Sequence, residues 1–253
     1  MCVSMQPLLI LSIYTPTEPK VAGTENASTL FIRAMGLSDD VPVRIVHFPT
    51  QPIPDFSAVS GVIINGSGYS VNDSLPWIGE LQKYVLHWMK NKIPMLGVDF
   101  GLQIVVKTIG GNIAKKEEWE IGPKAIMLTT EGSEDPLFFG VPREFFVQAN
   151  HKEGVIALPD GKDIRELARS DRYPQAIAIG KYIRLVQFHP EIDGVTMARI
   201  IRSRKVELRK EGAMPKDAQM LERYLSSIER SDIGQFDKII LRNFANHFLR
   251  IGS

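Results

Sequence analysis

The stretch that decides the fold is Lys92-Ile93-Pro94-Met95-Leu96-Gly97-Val98-Asp99-Phe100-Gly101-Leu102-Gln103. Its first part, Ile93–Val98, is mostly apolar and predicts a short buried strand, whereas Phe100–Ile109 predicts a helix that ends at Gly110-Gly111. Asp99 stands between them, with one glycine two residues before it and another two residues after it. This arrangement is typical of a nucleophile elbow, which exposes its central side chain above a sheet and aims backbone N–H groups at an anion.

Strands and helices alternate before this elbow. The alternation predicts an α/β fold, with a mostly parallel, doubly wound sheet and flanking helices. Ligands of such sheets bind beyond the carboxyl ends of the strands, and Asp99 follows one of those ends. The predicted strands are Pro7–Tyr14, Val41–Phe48 and Gly61–Ile64, and the predicted helices are Glu25–Gly36 and Leu75–Lys92.

Beyond the elbow helix the sequence changes to short alternating segments separated by turns. These segments predict mixed or antiparallel strands that cover one end of the sheet. From Gly194 onward the chain reads as helical, so we expect a main domain over residues 1–195 and a helical C-terminal extension over residues 196–253, packed on the same domain. The short segments are Ala125–Leu128, Phe145–Gln148, Val155–Leu158, Ala176–Ile179 and Tyr182–Phe188, and the helices are Val195–Glu211, Lys216–Glu229 and Phe236–Leu249.

A second motif, Gln187-Phe188-His189-Pro190-Glu191, follows the last of these strands. At the end of an extended strand, residues two apart point to the same face, so His189 and Glu191 can lie together. Glu191 is then placed to accept the imidazole N–H and to orient the other ring nitrogen toward the elbow. A single His-x-Glu is common and usually structural, so this motif gains weight only in combination with the elbow.

Together the two motifs resemble those of the class I glutamine amidotransferases. Gly97, Gly101 and Gln103 match the nucleophile motif Gly-x-Cys-x-Gly-x-Gln of that family, but Asp99 stands at the cysteine position. The string over residues 187–191 resembles the family's own and lies about ninety residues after the elbow, as in the family. The resemblance covers about residues 5–195. Within the family, the chain most resembles a stand-alone form of the glutaminase domain of GMP synthase. This resemblance implies a flavodoxin-like amidotransferase fold.

The resemblance also implies a set of site residues. Asp99 would occupy the nucleophile position, with His189 and Glu191 as catalytic partners. The loop Asn65–Ser70 resembles the family loop that supplies one oxyanion-hole N–H, although an ordinary strand-to-helix turn has the same composition. His151 matches a loop histidine near the glutamine pocket, and a plain polar loop residue is an equally good interpretation. The implied oxyanion-binding and substrate-binding residues are Gly66, Ser67, Phe100, Gln103 and His151.

The implied family reaction is hydrolysis of the glutamine side-chain amide to glutamate and ammonia for transfer. A cysteine thiolate attacks the amide, two backbone N–H groups hold the oxyanion, and histidine protonates the departing ammonia. A carboxylate is a far better leaving group than an amine, because its unperturbed pKa is about 3.9. An adduct on Asp99 would therefore collapse back, and we expect glutaminase activity to be lost by several orders of magnitude. Asp99 is also a favoured helix N-cap, and it could pair with a protonated His189.

Three hypotheses about function follow from Asp99. In the first, the protein is a binding or regulatory module with a disabled nucleophile. In the second, it is a hydrolase that uses Asp99 as an elbow nucleophile on a substrate other than an amide. In the third, it is an otherwise active amidotransferase in which Asp99 has replaced the motif cysteine.

Composition limits the partners that we expect. The chain has 253 residues, 44% of them apolar, and a formal net charge of +1, which gives no support for a nucleic-acid partner or a membrane partner. The apolar run Val3–Tyr14 is too short to span a bilayer. Cys2 is the only cysteine, which excludes an intramolecular disulfide and a cysteine-based metal cluster. We expect a cytoplasmic protein without a metal or cofactor, a small-molecule substrate such as glutamine or a related amide, and an ammonia acceptor or synthetase on another chain.

Overall fold

The computed structural model describes residues 6–13, 27–54, 59–161, 163–231 and 235–249. The predicted element ends at Tyr14 and Glu25, and also Cys2, lie outside these residues. The strands are β1 Leu8–Ile13, β2 Val43–Phe48, β3 Gly61–Ile64, β4 Met95–Val98, β5 Asn112–Leu128, β6 Glu144–Ala157, β7 Ile164–Arg169, β8 Pro174–Ile179 and β9 Ile183–Val186. The helices are α1 Ala27–Met35, α2 Pro76–Lys90, α3 Phe100–Thr108, α4 Thr130–Glu134, α5 Gly194–Ser203, α6 Lys205–Lys210, α7 Ala218–Glu229 and α8 Gln235–His247, with a 3₁₀ turn at Pro136–Phe138.

The nine strands form one mixed sheet in the order β2-β1-β3-β4-β9-β8-β7-β5-β6. From β2 to β9 all neighbours are parallel, and we call these five strands the parallel half. From β9 to β6 all neighbours are antiparallel, and we call β8, β7, β5 and β6 the antiparallel half. The predicted doubly wound α/β fold is therefore confirmed, and β9 is the strand at which the two halves meet.

Helices cover both faces of the parallel half. Leu9 and Leu11 of β1 pack in the same apolar cluster as residues of α2 and α3. Leu8 and Ile10, the alternate residues, pack in a second cluster with residues of α1 and α8. Because successive side chains of a strand point to opposite faces, this division places β1 between two helical layers. A strand buried on both faces reads as a continuous apolar run, which is why Pro7–Tyr14 was recognisable.

The antiparallel half differs from the predicted pattern. The short segments predicted around Ala125–Leu128 and Phe145–Gln148 are the ends of long strands, since β5 has 17 residues and β6 has 14. The strand β7 was not predicted at all. The segment Tyr182–Phe188 was expected to cover the end of the sheet, but its strand β9 lies in the middle and pairs in parallel with β4. We call the antiparallel pair β5 and β6 the hairpin. Polar residues in this hairpin and a register shift between Lys115 and Glu120 interrupt the alternation that sequence patterns detect.

The C-terminal helices lie close to the predicted bounds. The predicted helix Val195–Glu211 is divided at Arg204 into α5 and α6. Asp193 and Asp217 begin α5 and α7 as N-caps, because their side chains accept hydrogen bonds from backbone N–H groups of the first turn. The helix α5 packs on α7, while α8 packs against α1 and the 3₁₀ turn. The division into a domain over 1–195 and an extension over 196–253 stays a prediction.

Candidate active site

The elbow holds Asp99 in a strained backbone conformation. Its φ is 51° and its ψ is −107°, a region that residues other than glycine rarely adopt. The backbone N–H of Asp99 donates to Val186 O at 2.9 Å, which fixes the turn to the end of β9. A Cβ on Gly101 would lie 2.0 Å from Ile64 O, so the elbow needs glycine at that position. Asp99 occupies the N-cap position of α3, as expected, but its side chain makes no N-cap hydrogen bond.

The Asp99 carboxylate is buried among hydrogen-bond donors. The residue is 6% exposed, and its Oδ1 accepts a hydrogen bond from Gln187 Nε2 at 2.9 Å. The backbone N–H groups of Phe100 and Ser67 also lie near the carboxylate, and each lowers its pKa. Ser67 and Phe100 are the two residues predicted to supply oxyanion-hole donors. The side chain at the nucleophile position thus lies against both predicted donors.

His189 and Glu191 lie beside this carboxylate. His189 Nδ1 is 2.9 Å from Glu191 Oε1, and the two residues are 7% and 8% exposed. A Cβ on Gly66 would be 2.9 Å from His189 Cε1 and 3.0 Å from Asp99 Oδ2, so the imidazole and the carboxylate face each other across this glycine. The contact between His189 and Glu191 is made within a turn beyond β9, in which Ile192 N donates to His189 O. The extended geometry expected for these residues is therefore wrong. The turn nevertheless brings the same two side chains together.

Burial and charge together set the protonation of this group. Burial raises the pKa of Asp99 to about 6, against the opposing effects of His189 and the two backbone N–H groups. Burial by itself lowers the pKa of His189, but the charge and hydrogen bond of Glu191 and the charge of Asp99 outweigh it and raise the pKa to about 9. At pH 7 the site therefore holds an imidazolium beside an Asp99 that is mostly ionised.

Two glutamines connect the elbow to the hairpin of β5 and β6. Gln103 Nε2 donates to Glu153 O at 3.2 Å and lies 3.4 Å from Gln187 Oε1. Gln187 in turn donates to Asp99 through its Nε2. Gln103 is a predicted substrate-binding residue. Gln187 is a site residue that the sequence did not predict, although it belongs to the motif that contains His189. Its adjacency to His189 in the sequence was the available signal.

The remaining predicted residue, His151, lies in β6 and not in a loop. It is 3% exposed and stands opposite Glu120 in the antiparallel pairing of β5 and β6. Its Nδ1 is 2.9 Å from Lys116 Nζ, and Lys116 also forms an ion pair with Glu120. The sequence did not indicate Lys116 or Glu120 as site residues, because only strand pairing brings them beside His151. The roles of His151 and of the other predicted site residues stay predictions.

A comparison with models of protein families identifies the family of this chain. The model for "Glutamine amidotransferase class-I" matches residues 27–206. The chain belongs to the class I glutamine amidotransferase family. Relatives of this chain include the glutamine-hydrolysing GMP synthases of Thermomicrobium roseum, 30% identical over 167 residues, and Thermosipho melanesiensis, 38% identical over 136 residues. These matches cover 63% and 53% of the chain but only 30% and 24% of the relatives, so the chain spans less than a third of their length.

Solved amidotransferase structures share the fold of this family member. A glutamine amidotransferase from Methylobacillus flagellatus has a TM-score of 0.72 and 19% identity, and the match covers 99% of this chain and 98% of that one. One from Thermotoga maritima has a TM-score of 0.71 and 19% identity, with coverage of 95% and 96%. A putative GMP synthase protein from Thermoplasma acidophilum has a TM-score of 0.62 and 19% identity, with coverage of 95% and 92%.

Two further features concern the described residues of this amidotransferase. No helix within the described ranges is long and apolar enough to cross a membrane. The same part of the chain contains no group of three or more His, Cys, Asp or Glu side chains that could hold a metal ion. The polar groups that lie around Asp99 are an imidazole, a carboxylate, side-chain amides and backbone N–H groups.

Proposed function

We propose that this protein binds glutamine or a related amide in an amidotransferase site and has little or no glutaminase activity. The observation that carries the proposal is the position of the buried Asp99 carboxylate beside the predicted oxyanion donors. The N–H groups of Phe100 and Ser67, which we predict to be the oxyanion donors, already stabilise the Asp99 carboxylate. A negative charge that forms on a substrate would have to compete with a fixed negative charge for the same donors.

The energetic consequence concerns the transition state. Removing one oxyanion-hole donor typically costs about 100-fold to 1,000-fold in kcat. Here both donors are directed at the protein's own carboxylate, and that carboxylate also repels a developing oxyanion. An adduct between Asp99 and an amide would expel the carboxylate in preference to the amine, because the carboxylate is the weaker base. These effects all lower the rate of amide hydrolysis.

The protonation of His189 shows which part of the site is altered. In the family reaction the nucleophile is a thiolate and the histidine gives a proton to the departing ammonia, so a protonated histidine belongs to the resting state. The pKa of His189 is raised to about 9, so at pH 7 the imidazole carries that proton. The pair formed by His189 and Asp99 therefore keeps the charges of a resting site, with a carboxylate in place of the nucleophilic thiolate.

The partners proposed for this site follow from the family. Relatives such as the Thermomicrobium roseum protein are GMP synthases named as glutamine-hydrolysing, and the chain covers 30% of that relative. We propose that the ligand is glutamine or a related amide and that an acceptor or synthetase is supplied by another chain. On this proposal the protein acts as a binding or regulatory module.

Glutamine hydrolysis by the unaltered protein and two variants tests the proposal. We expect the unaltered protein to release no measurable ammonia, and Asp99→Cys to hydrolyse glutamine at least about 1,000-fold faster, because a thiolate then replaces the carboxylate beside the oxyanion donors. Asp99→Cys combined with His189→Gln is the matched control and should be inactive. The proposal is contradicted by glutaminase turnover of the unaltered protein, or by an Asp99→Cys variant that folds but neither hydrolyses glutamine nor reacts with a glutamine chloroketone.

A second candidate function is favoured by the elbow itself. A non-glycine residue at a φ of 51° is the conformation in which elbow nucleophiles are held, and with a pKa of about 6 Asp99 is mostly ionised at pH 7. Asp99 would attack a carbon of an alkyl, ester or other activated substrate and displace its leaving group, which would leave an ester on Asp99. Water would then hydrolyse this ester at the carboxyl carbon of Asp99. Turnover in water enriched in oxygen-18 should then place label in the Asp99 carboxylate. Turnover without label in Asp99 excludes this function.

A further inference from the structure

Lys116 is a buried cation whose role the proposed function does not explain. Its side chain is 1% exposed, although lysine is almost never fully buried unless it is paired. The ammonium contacts the Glu120 carboxylate and His151 Nδ1, and it lies 5.3 Å from the centroid of the Tyr173 ring. Gln175 Nε2 also donates to Glu120, at 3.0 Å. The lysine is therefore held in one position by groups from several strands.

Lys116 lies next to the elbow as well as in the hairpin. A Cβ on Gly154 would be 3.4 Å from Lys116 Cδ and 3.8 Å from Gln187 Oε1. The other end of the Gln187 amide donates to Asp99 Oδ1 at 2.9 Å. Gln187 thus separates the stem of Lys116 from the carboxylate, and the charge of Asp99 favours the protonated form of Lys116, although burial lowers its pKa more strongly. Lys116 and His151 therefore lie close enough to the Asp99 site for the charges of Asp99 and His189 to affect their pKa values.

The contact with Lys116 determines which nitrogen of His151 carries hydrogen. An ammonium group has three donors and no acceptor, so a 2.9 Å contact requires that His151 Nδ1 accept. A neutral imidazole has one acceptor nitrogen and one N–H, which leaves the hydrogen on Nε2. Burial and the charge of Lys116 lower the pKa of His151 well below its ordinary value. His189 and Lys124 also lower it, and the backbone of Glu153 opposes them. His151 is therefore a neutral imidazole with an N–H at Nε2.

This N–H is a buried donor without an acceptor. His151 Nε2 is buried and makes no hydrogen bond to any described residue. The nearest carboxylate oxygen, Glu120 Oε2, is 3.6 Å away, beyond hydrogen-bond distance. An unmet buried donor is destabilising, so such groups are usually satisfied by water or a ligand. On the same strand Glu153 O contacts Gln103, so this donor lies beside predicted substrate-binding groups.

We propose that Lys116 is a positioning residue that holds His151 as a neutral Nε2–H donor, and that this donor binds an acceptor oxygen of the site's ligand. The acceptor is a carbonyl or carboxylate oxygen, since a ligand ammonium has no acceptor to offer. The ligand part of this inference rests on the proposed function. The part that concerns Lys116 and His151 does not, because it can be measured on the ligand-free protein.

Nitrogen-15 NMR of the imidazole of His151 tests the positioning role. In the unaltered protein at pH 7 we expect an unprotonated Nδ1 and a protonated Nε2. Lys116→Met removes the charge but keeps an apolar stem, so the tautomer should become mixed and the pKa of His151 should rise. Lys116→Arg supplies only donors and should restore the tautomer. Lys124→Met is the matched control, because Lys124 acts on His151 through charge alone and is the weakest of its perturbing groups.

Two results of this experiment overturn the positioning role. One is a hydrogen on Nδ1 of His151 in the unaltered protein, a measurement that needs no variant. The other is a tautomer and pKa unchanged in Lys116→Met while the His189 signal shows an intact site. The titration also registers the other charged groups that face His151, which are Glu120, Lys124 and His189.

Calorimetric titration with L-glutamine tests the ligand part. We expect Lys116→Met to weaken glutamine binding about tenfold, which corresponds to about 1.4 kcal/mol and is within the range for one hydrogen bond, and Lys124→Met to leave it nearly unchanged. Equal affinity of Lys116→Met and the unaltered protein overturns the subsite. Failure of the unaltered protein to bind glutamine contradicts the proposed function, and the tautomer measurement then still decides the role of Lys116.

Discussion

The two halves of the sheet contribute to the site in different ways. The parallel half presents Asp99 and backbone N–H groups at turns that follow its strands, and glycines there allow close approach of the backbone. The antiparallel half presents Lys116 and His151 from within paired strands, where long side chains carry the interactions. One side of the site is thus set by backbone geometry and the other by side-chain charge. Adding a side chain at a glycine should therefore disturb the elbow side more than the hairpin side. Charges on the two sides should affect stability in opposite directions as pH changes.

The largest difference is expected for glycine substitutions. In Gly101→Ala the new Cβ would lie 2.0 Å from Ile64 O, and backbone must move, so we expect a loss of about 3 kcal/mol or more in the free energy of unfolding. In Gly154→Ala, on the hairpin, the nearest atom is Lys116 Cδ at 3.4 Å, and the change should be within about 1 kcal/mol. Urea unfolding of both variants measures this. Equal destabilisation by the two would contradict the contrast.

The two histidines should give stability opposite dependences on pH. The pKa of His189 is raised from 6.5 to about 9, so the folded state holds its proton more tightly than the unfolded state. Its stabilisation is complete below pH 6.5 and is lost as pH rises toward 9, by roughly a few kcal/mol. The pKa of His151 is lowered well below 6.5, so its contribution has the opposite sign and stability falls as pH drops below 6.5.

Each histidine variant is the control for the other. His189→Gln should flatten the decline of the unfolding free energy between pH 6.5 and 9, whereas His151→Gln should flatten the decline below pH 6.5. Asp99 also contributes in the acidic range, since its folded pKa is raised to about 6, but it is present in both variants. The assignment of charges to the two halves fails if both variants change the same side of the pH profile.

A smaller effect is expected from Asp237, a buried acid that belongs neither to the elbow side nor to the hairpin side of the site. Both carboxylate oxygens of Asp237, on α8, are buried and have no hydrogen-bond partner among the described residues. Burial and the charge of Glu191 raise its pKa well above 3.8, so its stabilising protonation is lost as pH rises from the acidic range. We expect Asp237→Asn to stabilise the protein by about 1 kcal/mol at pH 8 and less at pH 4. Thermal unfolding at both pH values checks this, and an equal destabilisation at both would contradict it.

The elbow side was accessible from the sequence because its signals are local. Glycines two residues on either side of Asp99 define the turn, and His189 and Glu191 are two residues apart. The hairpin side was not accessible in the same way. Lys116 and His151 are 35 residues apart in the chain and meet only through the pairing of β5 and β6, whose register shifts between Lys115 and Glu120. A register shift moves side chains between faces, so alternation alone could not assign those that face the site.

The most direct test of the account is the pKa of His189, measured by NMR on the ligand-free protein. The central claim is that an imidazolium faces the Asp99 carboxylate, which takes up the donors predicted for an oxyanion. The account predicts titration of His189 near pH 9 in the unaltered protein and at a lower pH in Asp99→Asn, where one stabilising charge is absent. A His189 that titrates at or below 6.5 and does not respond to Asp99→Asn would contradict it.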